Sequence, residues 1–105
     1  MNVRQISDYS DGTTTINGTS IAIPLNSDRY KGEPFTVQIY DGSSPVGTIQ
    51  GIIYNSTGDD ADTSTLWQDL TNGTISDDGF FSFYAPVTHI RVNLTSGTCK
   101  ARILN

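Results

Sequence analysis

The stretch APVTHIRVNLTSGTCKARILN, residues 85–105, concentrates the side chains that could do chemistry. It holds the only histidine, His89, the only cysteine, Cys99, and three of the six basic residues of the chain. A cysteine thiolate next to an imidazole is the arrangement of a nucleophile and its base. The alternative is an ordinary pair of β-strands that keeps the two side chains apart.

A two-residue turn at Ser96-Gly97 predicts a β-hairpin whose remaining residues pair by counting outward along both strands. One face of this hairpin is apolar, formed by Ile90, Val92, Leu94, Cys99, Ala101 and Ile103. A cysteine in such a row is a small core residue, and its buried thiol is inert because the exposed thiolate is the reactive form. We therefore expect Cys99 to be structural and to face away from His89.

The other face of the predicted hairpin is polar and basic, with Arg91 opposite Arg102. Because like charges directly across a strand pair repel, something should compensate. The compensating groups are either acidic side chains of neighbouring strands or an acidic surface of another subunit. Residues 87–105 hold three basic and no acidic side chains, whereas residues 1–86 hold three basic and eleven acidic ones. The candidate partner-binding residues are Arg91, Asn93, Lys100, Arg102, His89 and Tyr84.

Other constellations for catalysis or metal binding are weak. A single histidine with a single cysteine makes no zinc site. Asp59, Asp60 and Asp62 lie in an acidic loop, residues 58–65, that lacks EF-hand spacing, so a solvated loop is favoured over a calcium site. The remaining acids fall almost wholly in turns, and no nucleophile elbow, phosphate loop or dinucleotide fingerprint occurs. We expect no enzymatic activity, no metal and no cofactor.

The composition favours β-structure. Glutamate occurs once and the other strong helix formers are scarce, while strand-like alternation recurs between turn signals every eight to twelve residues. We expect an all-β chain of about eight strands, an antiparallel two-sheet β-sandwich that is jelly-roll-like. Residues 13–105 would form this single domain, with residues 1–12 as an N-terminal arm or edge strand.

The turn signals place the strand boundaries. Asn17-Gly18 and Asn72-Gly73 are typical of tight turns, and residues 41–45 (DGSSP) and 76–79 (SDDG) of wider corners. In the strand FTVQIY, alternation points Phe35, Val37 and Ile39 inward. In VGTIQGIIY, Ile49 and Ile53 alternate with Gln50 and Ile52, and Gly47 and Gly51 indicate a bulge or a close backbone approach.

The charge and the lack of long apolar runs limit the partners and the location. A net charge of -5 makes non-specific nucleic-acid binding improbable. No stretch approaches a membrane helix or the apolar core of a signal peptide, so we expect a soluble, unprocessed chain. A single cysteine fits synthesis in a reducing host cytoplasm.

The run LWQDLTNGTISDDGFFSFYAPVTHIRVNLTSGTCKARIL resembles the C-terminal part of small β-sandwich modules found among virion proteins of tailed bacteriophages. The resemblance spans residues 46–104, and the loop before the tryptophan, NSTGDDADTST, is longer than usual. The matching positions are Trp67, Pro86, Ile90, Arg91, Val92, Asn93 and Gly97.

This resemblance implies a structural protein of the virion, at this length a capsid decoration (cement) protein. Such a protein binds the major capsid protein on the outside of the shell and stabilises it, often as a dimer or trimer. The first dozen residues could then add a strand to a neighbouring sheet.

Two alternatives remain open. One is a neck, tail or fibre component of the same virion, which copy number per particle would separate from decoration. The other is a carbohydrate-binding β-sandwich in which Trp67, Tyr40, Tyr54 or Tyr84 stacks on a sugar ring, although Trp67 fits the core better.

Overall fold

The computed structural model describes residues 3–25, 33–54 and 61–105, and in this part of the chain six antiparallel strands belong to one sheet. The all-β prediction is confirmed, while the two-sheet, jelly-roll arrangement stays a prediction. No helix in the described part is long and apolar enough to span a bilayer. A short 3-10 helix lies at Ala61–Thr63, and the strands are β1 (Val3–Ile6), β2 (Ile23–Pro24), β3 (Phe35–Ile52), β4 (Gln68–Ile75), β5 (Gly79–Phe83) and β6 (His89–Leu104).

Two long strands, β3 with 18 residues and β6 with 16, form the centre of the sheet. They pair from Thr36 opposite Leu104 to Ile52 opposite His89. β5 and then β4 lie along the free edge of β3. β1, the bridging residues 16–20 and β2 lie along the free edge of β6. Each long strand is therefore bordered by successive short segments of the same chain.

The predicted hairpin at Ser96-Gly97 is wrong, because β6 runs through these two residues without reversing. Gly97 has a φ of 72°, and across the ladder Asp41 and Ser44 have φ values of 49° and 48°. The register between β3 and β6 shifts at the same place. The corner predicted at residues 41–45 is therefore also wrong, and these residues and Ser96-Gly97 form two bulges that face each other. A glycine or another residue with positive φ is as suitable for a bulge as for a turn.

These bulges also explain why six strands occur in the described residues where about eight were expected. FTVQIY and VGTIQGIIY are two halves of β3 rather than separate strands, and the two presumed arms of the hairpin are halves of β6. A bulge changes the phase of the inward and outward alternation, as a two-residue turn would. The six residues predicted to be apolar and inward are accordingly all buried.

The two Asn-Gly pairs do not form hairpin turns either. Gly18 has a φ of 107° within a segment that pairs with β6, where its carbonyl accepts a hydrogen bond from the Leu94 amide at 2.8 Å. Asn72, with a φ of 66°, lies inside β4, where the pairing with β3 shifts between Thr48 and Gln50. The corner predicted at residues 76–79 is confirmed, because residues 76–78 connect β4 to β5.

The core is one cluster of buried side chains, and the parts of β3 and β6 on both sides of the bulges contribute to it. The expected inward positions of Phe35, Val37 and Ile39 are confirmed. Ile49 is also buried, whereas Ile53, just after the end of β3, is exposed. Ile52 is buried instead, in a smaller cluster with Ala61 and Trp67. The main cluster contains Ile6, Ile16, Ile23, Phe35, Val37, Ile39, Ile49, Ile75, Phe83, Ile90, Val92, Leu94, Cys99, Ala101 and Ile103.

The close backbone approach predicted at Gly47 is confirmed. A Cβ at this position would overlap the carbonyl oxygen of Asn93 and the Cα of Leu94. Only glycine therefore lets β3 lie this close to β6 beside the bulges.

Asp8 is a buried carboxylate, 1% exposed, at the start of the loop between β1 and the bridging residue Ile16. Its Oδ2 accepts a hydrogen bond from the Asn17 amide at 2.7 Å. Its Oδ1 accepts bonds from the Ser10 amide and hydroxyl at 2.8 and 2.7 Å and from the Asp11 amide at 3.3 Å. Burial alone would raise the pKa of Asp8, but these bonds stabilise the charged form and hold the pKa below its usual value.

Candidate functional site

The predicted basic patch lies on the outward face of the sheet, opposite the main core, and it is divided in two. Arg91 and Arg102 stand near opposite ends of β6, so their predicted pairing is wrong. Each faces a glutamine of β3, Gln50 opposite Arg91 and Gln38 opposite Arg102. The charge repulsion expected across the hairpin therefore does not arise. His89 and Asn93 accompany Arg91, and Lys100 accompanies Arg102.

Arg91 belongs to a hydrogen-bonded network on its half of the sheet. Its Nε donates to Gln50 Oε1 at 2.8 Å, and its guanidinium carbon lies 4.5 Å from the centroid of the Trp67 ring. Gln50 in turn donates to Asp69 Oδ1 at 2.9 Å, as does Thr48 Oγ1, and these two bonds lower the pKa of Asp69. The Arg91 side chain is thus held in place by other residues of the same chain.

Trp67 is a packed residue rather than an open platform. It is 9% exposed, and its indole N–H donates to the Ala61 carbonyl at 2.9 Å. The cluster of Trp67, Ile52 and Ala61 is completed by Ala22 and Tyr54. The carboxylate of Asp62 accepts a hydrogen bond from the Ala22 amide. The prediction of Trp67 as a core residue is confirmed, and its ring is not free to stack on a sugar.

His89 and Cys99 lie on opposite faces of β6 and do not form a nucleophile–base pair. His89 Nδ1 is 2.9 Å from Thr88 Oγ1, and its ring meets Tyr54 edge-on at 5.7 Å. Burial lowers the pKa of His89, and the charge of Asp62 opposes this only in part. Cys99 is fully buried, and burial, with a smaller contribution from Asp78, raises the pKa of its thiol to about 11. At neutral pH the thiol is therefore protonated.

Arg102 occupies a different setting. Its Nε donates to Gln38 Oε1 at 2.7 Å, and its guanidinium carbon lies 5.0 Å from the centroid of the Tyr40 ring. The Tyr40 hydroxyl donates to Gln5 Oε1 at 2.8 Å, which fixes the ring. Lys100 lies on the same half of the sheet, with its ammonium 3.6 Å from Asp41 Oδ2. The planar guanidinium is thus oriented by one hydrogen bond and one ring.

Exposed apolar side chains lie in the same groove as Arg102. Phe80 is 74% exposed, Val3 55% and Leu104 42%, and all three line one shallow groove with Arg102. The described lining contains no acidic side chain. We call this the Arg102 face, made of Val3, Thr36, Gln38, Phe80, Arg102 and Leu104. The apolar rim of this face was not predicted from the sequence, although Phe80 at an outward position of an alternating strand was the available signal.

The other two candidate residues lie apart from the Arg102 face. Asn93 is on the Arg91 half, where its Oδ1 accepts a hydrogen bond from Thr19 Oγ1 at 2.8 Å. Tyr84 directly follows β5 and lines a separate cleft between β4 and β5. The structure therefore brings Arg102 and Lys100 together and separates both from Arg91, His89, Asn93 and Tyr84.

No group of three or more histidine, cysteine or acidic side chains that could hold a metal ion occurs within residues 3–25, 33–54 and 61–105. Of the acidic loop, Asp59 and Asp60 lie outside the described residues. Asp62 is within them, on the 3-10 helix. Comparisons with known protein families, with curated proteins and with solved structures found no match to this chain.

Proposed function

We propose that the chain is a non-enzymatic structural protein of a bacteriophage virion, a capsid decoration protein that binds the outside of the major capsid shell and stabilises it. The sequence resemblance supports the class of protein. The observation that carries a docking function is the Arg102 face, where an oriented cation stands between exposed apolar side chains.

The guanidinium of Arg102 has unused hydrogen-bond donors. Its Nε is used by Gln38, and in the described part of the chain its two terminal amino groups have no hydrogen-bond partner. A guanidinium held in this way can bind a carboxylate through two parallel hydrogen bonds. An acidic side chain on the shell surface is the matching group.

The apolar rim would supply the buried area that a charge pair alone lacks. Phe80, Val3 and Leu104 are the kind of side chains that become buried at the centre of an interface. A partner that covers this rim also removes water from around Arg102, which strengthens the pairing with a carboxylate. The proposed partner surface therefore presents an acidic group beside apolar residues.

The net charge of the molecule would orient the encounter. The chain carries -5 overall, so an acidic shell repels most of its surface. The Arg102 face, with Lys100 beside it, is attractive by contrast. Electrostatics of this kind determines orientation and association rate more than affinity.

We also propose that the two halves of the sheet, on either side of the bulges in β3 and β6, pack on one another as in a β-sandwich. Residues of both halves, such as Val37 and Ile49, are fully buried in one cluster. Since the described residues contain no helical layer that could cover a single sheet, the two halves are the available cover for one another. Bulged strands that pass from one layer to the other are a known way to build such corners.

Assembly as a dimer or trimer on the exterior of the shell belongs to the same proposal. Among the described strands, β1, β4 and β5 each pair on one side only, and an unpaired strand edge is a place where a neighbouring chain can add a strand. A neck, tail or fibre role uses the same surfaces, and the copy number per particle distinguishes it: hundreds for decoration, about a dozen or fewer for most tail parts.

Reversing the charge of Arg102 is expected to weaken binding to undecorated, expanded capsid shells about 100-fold, or about 2.7 kcal/mol, because a partner carboxylate would then face a like charge. Replacing Phe80 with alanine should weaken binding about tenfold through lost apolar contact. Co-sedimentation of purified chain with shells over a concentration series measures both.

Arg91→Gln is the matched control for Arg102→Glu. It removes the other outward arginine of β6 and should leave the affinity within about threefold of wild type. Thermal unfolding of each variant checks that folding is intact. The proposal is wrong if the wild-type chain does not co-sediment with shells, or if folded Arg102→Glu binds as wild type does.

A further inference from the structure

A second cleft lies between β4 and β5, the two strands that border β3. It has a volume of about 510 Å³, within the range of small-molecule sites. The strands both pair with β3 and are joined by residues 76–78, so the cleft is built on the sheet rather than on a long loop. Among the described residues that line it are Asp69, Thr71, Asn72, Ser82 and Tyr84.

Tyr84 is the most exposed apolar side chain of this cleft, whose lining also includes Leu70, Phe83 and Ala85. It is 73% exposed, although the preceding residue, Phe83, is buried in the main core and fixes the end of β5. Phe83 also packs against Phe35 with ring centroids 5.2 Å apart. An exposed aromatic ring on a rigid backbone offers a flat stacking surface at a low entropic cost.

Polar groups line the same cleft as the ring. Asp69 Oδ1 is fixed by the bonds from Thr48 and Gln50, while its Oδ2 has no hydrogen-bond partner in the described part of the chain. Thr71 and Asn72 on β4 are exposed, and the Ser82 hydroxyl shares a hydrogen bond with Thr36 Oγ1 at 2.9 Å. The cleft therefore offers a fixed carboxylate, an amide and hydroxyl groups, which together both donate and accept hydrogen bonds.

The lining narrows the ligand chemistry. It includes the charge of Asp69 and no lysine, arginine or histidine among the described residues, so an anionic ligand would be repelled. A purely apolar ligand would leave the polar groups unpaired. A small cation could use Asp69 and Tyr84, but it would leave the amide and hydroxyl groups of Asn72, Thr71 and Ser82 without a role.

We propose that the cleft between β4 and β5 binds a neutral saccharide ring. One C–H face of the sugar stacks on Tyr84, and its hydroxyl groups pair with Asp69 and the neighbouring polar side chains. The lining of this site shares no residue with the Arg102 face, and sugar binding goes beyond capsid binding. Loss of either activity is therefore measurable while the other is kept.

Titration of the ¹⁵N-labelled chain with glucose, galactose, mannose and N-acetylglucosamine tests the proposal. At least one sugar is expected to shift backbone amide signals of residues 69–72 and 82–85. Tyr84→Ala should weaken that binding at least about tenfold, whereas Tyr84→Phe, which keeps the ring, should stay within about threefold.

Phe80→Ala is the matched control, because Phe80 is an equally exposed aromatic residue of β5 outside the cleft. It should bind the sugar as wild type does, and so should Arg102→Glu. The proposal is overturned if none of the four sugars shifts the cleft signals, or if Tyr84→Ala binds as tightly as wild type. Shifts with tetramethylammonium but with no sugar would also overturn it, and would assign the cleft to cations.

Discussion

Replacing Gly97 with alanine is expected to lower the free energy of unfolding by at least about 3 kcal/mol. Gly97 has a φ of 72°, and a Cβ there would overlap the carbonyl oxygens of Ser43 and Ser44 on β3. The obstacle is backbone rather than a flexible side chain, so the facing bulges would have to separate. Urea unfolding monitored by Trp67 fluorescence measures the loss.

Gly12→Ala is the control that isolates this overlap. Gly12 has nearly the same φ, 70°, but no atom lies within 4 Å of a Cβ built there. It should therefore show only the cost of a left-handed conformation, about 1–2 kcal/mol. Equal losses in the two variants would contradict the close packing of the bulges on one another.

Replacing Asp8 with asparagine is expected to lower the free energy of unfolding by about 3 kcal/mol at pH 7. The buried carboxylate accepts bonds from three backbone amides and the Ser10 hydroxyl, and an asparagine NH₂ would face one or more of these donors. Losing charge-assisted bonds and leaving buried N–H groups unpaired each have effects of this size.

The contribution of Asp8 to the free energy of unfolding should be lost at low pH. Because its pKa is lower in the folded chain than in the unfolded one, the unfolded chain binds more protons below about pH 4. The stabilisation is fully present above about pH 3.9 and is lost as the pH falls through the folded pKa. The difference between wild type and Asp8→Asn should accordingly shrink in acid.

Asp11→Asn provides the control for Asp8, since Asp11 lies in the same loop with an exposed carboxylate. It accepts bonds only from the Thr13 amide and hydroxyl among the described groups, at 3.0 and 2.8 Å. Its replacement should lower the free energy of unfolding by less than about 1 kcal/mol. A comparable loss for both variants would show that Asp8 does not anchor the loop.

The inward and outward assignment of the terminal strand was predictable from apolar periodicity. Cys99 and its five apolar companions are buried, while Arg91 and Arg102 lie on the opposite face of the strand. The strand connectivity was not predictable in the same way. Ser96-Gly97 carries the composition of a turn, but only the facing residues of β3 decide whether the chain reverses or bulges there.

The sequence also could not predict which residues lie beside each outward-facing side chain. Arg91 and Arg102 were expected to face one another, and each instead faces a glutamine of β3. That outcome depends on pairing between segments about forty to sixty residues apart in the chain. The buried role of Asp8 was missed for the same reason, because the SDYSDG composition is also typical of a solvated turn.

The position of the density for this chain in the assembled particle tests whether it decorates a capsid through its Arg102 face. Cryo-electron microscopy of the virion in which we propose that the chain resides would locate this density. We expect density for the chain on the outside of the shell, in hundreds of copies, with Phe80 and Arg102 turned towards the major capsid protein. Particles without exterior density for the chain, or with the Arg102 face turned to solvent, would contradict it.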